Sequence, residues 1–302
     1  MTQEVYHIPA LLPQAMEALD IKPGGVYVDA TFGGGGHSRA ILERLGPEGR
    51  LLGFDQDSDA LPGAPDDPRF TMVYGNFRYL TNFLRFYRAL PADGILADLG
   101  VSFHHFDDAE RGFSFRADAR LDMRMNRLGR LTAEQVVNEW PEERLAEILK
   151  LYGELPQARR IASAIAGARA AHPITTVAGL LAVVEPLTDA RRRKKELACI
   201  FQALRIEVNG ELDALREFLT QTTSVLRSGG RLAIMTYHSL EDRLVKNFMR
   251  SGNLEGRVEK DMFGRAEVPF RLLTSKPIVA DEAEVEANPR SRSAKLRVAQ
   301  KI

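Results

Sequence analysis

Short apolar runs recur along the first hundred residues with helix-period segments between them. Val26 to Ala30, Leu51 to Asp55, Phe70 to Tyr74 and Gly94 to Leu99 read as strands, and Arg39 to Leu45, Asp59 to about Ala64 and Arg78 to Leu90 fill the intervals. Such alternation predicts βαβ units and a parallel sheet. The second crossover, with Pro62, Gly63 and Pro65, is poor in helix formers and predicts a short or broken helix. After Leu99 the rhythm changes. From about His104 to Arg205 no strand pattern is found, whereas Thr132 to Glu139, Glu142 to Leu151, Ala158 to Ala170 and Thr176 to Val184 carry helical spacing. The α/β pattern resumes with a helix over Leu212 to Leu226, a Ser228-Gly229-Gly230 stop, a strand from Arg231 to Tyr237, a helix from Leu240 to Met249 and a final strand from Lys295 to Ala299. Residues 279 to 293, acidic and then Pro/Arg/Ser-containing, read as a mobile loop. The pattern therefore predicts a doubly wound sheet formed by residues 1–103 and 206–302, with an all-helical domain inserted at 104–205. Ligands of such sheets bind at the carboxyl ends of the strands, where strand order reverses. The insertion leaves from that same edge, where it could cover a site.

Composition excludes several classes. Lys and Arg together number 41, as do Asp and Glu, so there is no global field to draw in nucleic acid and any such surface must be local. A single cysteine, Cys199, rules out an intrachain disulfide and sits in an apolar run as a small hydrophobe. The N-terminus carries Glu4 and His7 before any apolar stretch, and the longest apolar runs, such as Val177 to Val184, are far too short to cross a bilayer. A cytoplasmic protein without membrane contact is expected. No His/Asp/Glu spacing suggests a metal site, and none is expected.

Three strand ends carry candidate chemistry. The first strand runs into Gly33-Gly34-Gly35-Gly36, a bared turn whose amides and following helix end suit a bound nucleotide or anion. Asp55 closes the second strand about twenty residues further on, the spacing at which a carboxylate meets ribose hydroxyls. Asp98 closes the fourth. A dinucleotide fingerprint would need glycine at Ser38 or Arg39, and no P-loop lysine follows the turn. S-adenosylmethionine, which offers a ribose and a carboxylate but no phosphate, suits the turn better than a nicotinamide or flavin dinucleotide.

These residues also carry a resemblance. Thr31 to Ser38, Asp98 to Ser102, Asp107 to Phe115, Leu121 to Met125, His238 to Arg243 and Asn288 to Ser293 are together similar to motifs of the RsmH (MraW) family, in that family's order from one end of the chain to the other. The resemblance implies a class I methyltransferase with a mostly parallel seven-stranded sheet. It implies methyl transfer from S-adenosylmethionine to the exocyclic N4 amine of a cytidine in the decoding region of 16S rRNA, with the small ribosomal subunit as partner. Carried over, it also implies cofactor contacts from Gly35, Gly36, His37, Asp55, Phe77, Asp98 and His105. At His105 the chain departs from the family, whose usual Ser-Ser-Pro-Gln is here Ser102-Phe103-His104-His105.

The transfer is a positioning problem, but a cytidine amine is a poor nucleophile and gains from a group that orients it and takes its proton. Asp98 and His238 are the candidates, the latter competing with a capping role at a helix start that carries Glu241 and Asp242. The inserted segment holds 17 basic against 14 acidic residues, yet Arg191-Arg192-Arg193-Lys194-Lys195 forms one run suited to phosphates. Arg111 and Arg116 are open between RNA contact and pairing with Asp107, Asp108 and Asp118, and Phe113 and Phe115 between base stacking and core packing. A cofactor-binding assembly factor without turnover is the alternative function, and a monomer or a homodimer fits equally.

Overall fold

The computed structural model describes residues 9–100, 109–260, 262–264 and 266–302. It divides into a unit formed by Met1–Gly100 with Leu212–Ile302 and a second formed by Val101–Glu211. Strands β1 (Val26–Asp29), β2 (Arg50–Asp55), β3 (Phe70–Tyr74), β4 (Ala92–Asp98), β5 (Leu226–Thr236), β6 (Phe270–Leu272), β7 (Ile278–Val279) and β8 (Lys295–Lys301) belong to one sheet of the first unit. Its order is β3-β2-β1-β4-β5-β8-β6. The first five strands run parallel, and β8 is antiparallel to β5. The outer edge of β8 is shared by two short strands, β6 against residues 299–301 and β7 against 295–296, so seven positions are filled by eight strands.

Strand alternation builds a core on each face of this sheet. Val28, Leu52, Ile95 and Leu232 turn to one face, where they meet Leu80 and Leu84 of α3 (Leu80–Phe86), Phe218 of α9 (Glu211–Val225) and Phe248 of α10 (Ser239–Ser251). Tyr27, Leu51, Leu96 and Ala233, one residue out of step, meet α1 (Leu12–Leu19) and α2 (Gly36–Leu42) on the other face. Burial on both faces explains why these strands read as continuous apolar runs.

The second unit is helical: α4 (Ala133–Glu139), α5 (Glu142–Leu151), α6 (Ala158–Ala171), α7 (Val177–Val184) and α8 (Arg193–Asn209). Thr132 and Gln135 close a reciprocal capping box on α4, and Thr176 caps α7 by accepting from Gly179 N–H at 3.1 Å. Val136, Ile148, Ile161, Leu180, Ile200 and Leu204 form part of its core. Phe113 is buried there, and Phe115 packs edge-on against Phe201 at 5.6 Å, so both are spent on packing rather than on base stacking. Cys199 is half-buried beside the same cluster. Helix α8 continues past Arg205, which carries the helical unit to Glu211.

Three local expectations are corrected. The Ser228-Gly229-Gly230 stop is absorbed into β5 as a bulge, with Gly229 at φ +81° and the register to β4 slipping between Ala92 and Gly94. Helix α2 begins at Gly36, inside the glycine run, rather than at Arg39. Residues 279–293 are not a loop: they hold α11 (Glu282–Ala287) and a 3-10 turn over Pro289–Ser293. Asp281 caps α11, and Glu284 reaches across the fold to accept from Leu11 N–H at 2.6 Å and Gln14 Nε2 at 3.4 Å. The proline-containing crossover is, as its composition predicts, only a 3-10 turn over Ser58–Gly63.

Candidate active site

In this sheet β1 lies between β2 and β4, so strand order reverses there, and the carboxyl ends of β1, β2, β4 and β5 lie along one edge. The glycine turn is stitched to both neighbours. Gly33 N–H donates to Asp55 Oδ2 at 2.8 Å, and Thr31 Oγ1 accepts from Asp98 N–H at 2.6 Å. Gly35 caps α2 at φ +74°, and a Cβ there would lie 2.6 Å from the Phe32 ring, so both backbone angle and space demand glycine. Gly36 packs against Pro9, whereas a Cβ on Gly34 would meet nothing within 4 Å. The turn is thus tight on one side and open at Gly34.

Asp55 accepts a second backbone bond, from Asp57 N–H at 2.8 Å. Phe77 follows β3, half-buried and edge-on to Phe218 at 5.2 Å, in a 3-10 turn that Asn76 caps. His37 lies in the first turn of α2, 5% exposed, with Nε2 3.2 Å from the carbonyl of Ala10. A carbonyl only accepts, so Nε2 carries the proton. Burial holds the imidazole below its ordinary pKa, and its Nδ1 is therefore an acceptor. That Nδ1 stands 3.9 Å from Asp98 Oδ2.

Asp98 is a strongly perturbed carboxyl of this edge. Burial pushes its pKa up to about 7, the Tyr237 hydroxyl donating to Oδ1 at 2.7 Å pulls it down, and the charge of Glu241 pushes it up again. Behind it Asp29, fully buried, is also pushed up by burial, against the pull that a protonated His37 would exert and the hydrogen bonds from Ser38 and Thr31.

His238 follows β5 and caps α10, one residue before Ser239. Its Nε2 lies 3.1 Å from Glu241 Oε1, and both ring nitrogens are shielded from solvent without a well-aligned hydrogen bond among the described residues. Glu241 Oε2 accepts from Tyr237 N–H at 3.0 Å. The edge thus brings together Gly35, Gly36, His37, Asp55, Phe77, Asp98 and His238. His105 lies outside the described residues, as do Asp107 and Asp108.

Sequence reading missed Tyr237 and Asp29. Both were discoverable as strand-end residues: Asp29 stands two positions before Thr31, and Tyr237 immediately precedes His238.

The residues fit S-adenosylmethionine. Two acceptors, His37 Nδ1 and Asp98 Oδ2, face each other at a spacing that suits the ammonium of its methionine end, and Asp55 suits a ribose. Ser38 and Arg39, where a dinucleotide turn would need glycine, have other work. Ser38 bonds Asp29, and the Arg39 guanidinium donates to the carbonyls of Gly34 at 2.7 Å and Gly63 at 3.1 Å.

In the helical unit Arg191 to Lys195 are all exposed at the start of α8, with Arg193 3.3 Å from Glu185. Arg111 is buried, and its Nη2 donates to the carbonyls of Arg124 at 2.6 Å and Met125 at 2.8 Å. Arg120 pairs with Glu134, and Arg124 with Asp122. Those three arginines brace the loop.

A switch-point sheet with a glycine turn, a ribose-height carboxylate and an acceptor-lined fourth strand defines a nucleotide-binding α/β protein of the class I methyltransferase type. The family model described as the MraW methylase family matches residues 4–302. A ribosomal RNA small subunit methyltransferase H of Bacteroides thetaiotaomicron is 59% identical over 296 residues, covering 98% of this chain and 97% of that protein. The protein of the same name from Porphyromonas gingivalis is 53% identical over 305 residues, covering 99% and 98%. An rRNA methylase structure from Streptococcus thermophilus aligns with 100% of this chain and 99% of that one, at 12% identity and a TM-score of 0.43. The chain belongs to the MraW methylase family, and its cofactor is S-adenosylmethionine. Among the described residues no helix is long and apolar enough to cross a membrane.

Proposed function

We propose that this protein methylates the exocyclic N4 amine of a cytidine in the decoding region of 16S rRNA, acting on the small ribosomal subunit. Family membership and the names of relatives more than half identical support rRNA as the substrate. The observation that carries the chemistry is Asp98, a carboxyl titrating near neutrality at the end of β4. Gly35 and Gly36 give the backbone approach, Asp55 takes the ribose, Phe77 flanks the adenine, and His37 and Asp98 hold the methionine end, with His105 completing the contacts. Bound there, the cofactor supplies an electrophilic methyl on a sulfonium.

The chain's own residues position the amine and receive its proton. A cytidine amine gives up one proton as its new N–C bond forms, and Asp98, whose carboxylate also borders the methionine end, is the group of this edge that orients the amine and accepts that proton. His238, its ring nitrogens shielded, orients rather than reacts. Arg191 to Lys195 meet backbone phosphates, which makes the helical unit the recognition domain. A base in folded RNA must be unstacked to reach such a site.

The test is transfer from labelled S-adenosylmethionine to small subunits lacking the modification, followed by nucleoside analysis. Labelled N4-methylcytidine is expected. Cofactor binding without any label would favour an assembly factor, and full turnover by His238→Ala would remove that residue from the site.

A further inference from the structure

Tyr237 has no place in the reaction as described, yet among the described residues it is the side chain that hydrogen-bonds the Asp98 carboxylate directly. Three contacts fix it. Its hydroxyl donates to Asp98 Oδ1 at 2.7 Å, its backbone N–H donates to Glu241 Oε2 at 3.0 Å, and its ring lies over Gly100. Gly100 sits at φ +116°, and a Cβ there would come within 3.3 Å of the ring. Glycine at that position therefore lets the ring pack close against the chain leaving β4. The phenol is pushed far above its ordinary pKa by burial and by the neighbouring carboxylates, so it remains a donor at every working pH.

The geometry points to Tyr237 as the positioning residue that holds the Asp98 carboxylate ionised and commits Oδ1 to the protein, leaving Oδ2 for the ligand. A phenol that cannot ionise here keeps its proton to donate, and donation to Oδ1 favours the charged carboxylate. Every other described group facing Asp98 bears on the same equilibrium. Glu241 on α10 is acidic and opposes its ionisation, whereas Asp29 at the end of β1 has its own ionisation opposed by the Asp98 charge. His37 on α2, neutral and proton-bearing only on Nε2, offers Oδ2 an acceptor. Among the described residues Tyr237 is thus the one donor set against burial and the charge of Glu241. The inference rests on the reading of Asp98 as the working carboxylate of a methyltransferase site.

The test is a titration of Asp98 itself by carbon NMR on protein labelled at aspartate carboxyls, with Asp98→Asn identifying the resonance. Tyr237→Phe keeps the ring over Gly100 and removes only the hydroxyl. The Asp98 midpoint is expected to rise by about one pH unit, a tenfold change in proton affinity. The acid limb of the methyl-transfer profile should follow it to higher pH. Coincident midpoints in the two proteins would overturn the inference. Should Tyr237→Phe fail to fold, a fluorinated tyrosine at position 237, a stronger donor of the same shape, must move the midpoint down, and no movement overturns the inference equally. Binding of S-adenosylhomocysteine by the unmodified protein is measured alongside. Its absence would sink the methyltransferase reading, while the titration still decides the role of Tyr237.

Discussion

Ser38 Oγ donates to Asp29 Oδ2 at 2.7 Å, so the residue standing where a dinucleotide turn would carry its third glycine satisfies a fully buried carboxyl. Asp29 Oδ1 takes only the longer bond from Thr31 N–H, at 3.2 Å. Ser38→Ala would leave a buried oxygen without its short partner. Such a loss costs about 1–3 kcal/mol, and urea denaturation should show it. A change below about 0.5 kcal/mol, the size of a neutral surface substitution, would mean that Asp29 is protonated and indifferent to the hydroxyl.

Asp98 sets stability against activity. Its folded pKa, about 7, lies above the ordinary 3.8, so the folded state binds the proton more tightly. Stability on this account is greatest at low pH and declines as pH rises from about 4 to about 7. Asp98→Asn keeps the acceptor for Tyr237 and removes the buried charge. It should melt higher than the parent at pH 8, with the gap closing towards pH 4, and should lose methyl transfer. Equal melting temperatures at both pH values would refute the burial account.

The opposite sign holds at the far side of the sheet edge. Burial works against ionisation of Asp242, but Arg297 Nε at 2.7 Å and Nη2 at 3.1 Å, with Lys295 nearby, hold its carboxyl below the usual range. This stabilisation is complete above pH 4 and is lost as pH falls through the lowered folded value. Arg297→Ala should cost about 1–3 kcal/mol at pH 7, as one bidentate, largely buried pair joining α10 to β8 is broken. The parent and the variant should converge in acid unfolding below about pH 3.

Much of this was legible beforehand, for a physical reason. Runs such as Leu51 to Asp55 are buried on both faces, and that burial is written in the apolar pattern itself. Thr132 and Thr176 announce their helices because a cap is a local event. What sequence could not show depends on distant partners. Helix α11 forms where Glu284 finds Leu11, more than 270 positions away in sequence. Strands β6 and β7, three and two residues long, are made by the edge of β8 rather than by any pattern of their own. Within the site, Asp55 and Asp98 could be found by spacing, whereas Tyr237 becomes informative only once β4 and β5 are known to be neighbours.

The basic run from Arg191 to Lys195 begins α8 at the helix end where positive charge is least favourable. A structural role would make its removal damaging. Replacing all five by alanine should instead leave the melting temperature equal or higher. Each lost phosphate contact should flatten the log–log salt dependence of RNA binding by about 0.7 to 0.9. An unchanged slope would detach this run from the RNA.

The order of the strands also has a bearing on synthesis. The helical unit is one uninterrupted stretch ending at Glu211, but β8, drawn from residues 295–301, must slot between β5 and the short outer strands before the sheet is whole. Chains fold as they leave the ribosome, earlier domains first. The helical unit can therefore mature while β1 to β4, already made, still wait for the strand that will complete their sheet.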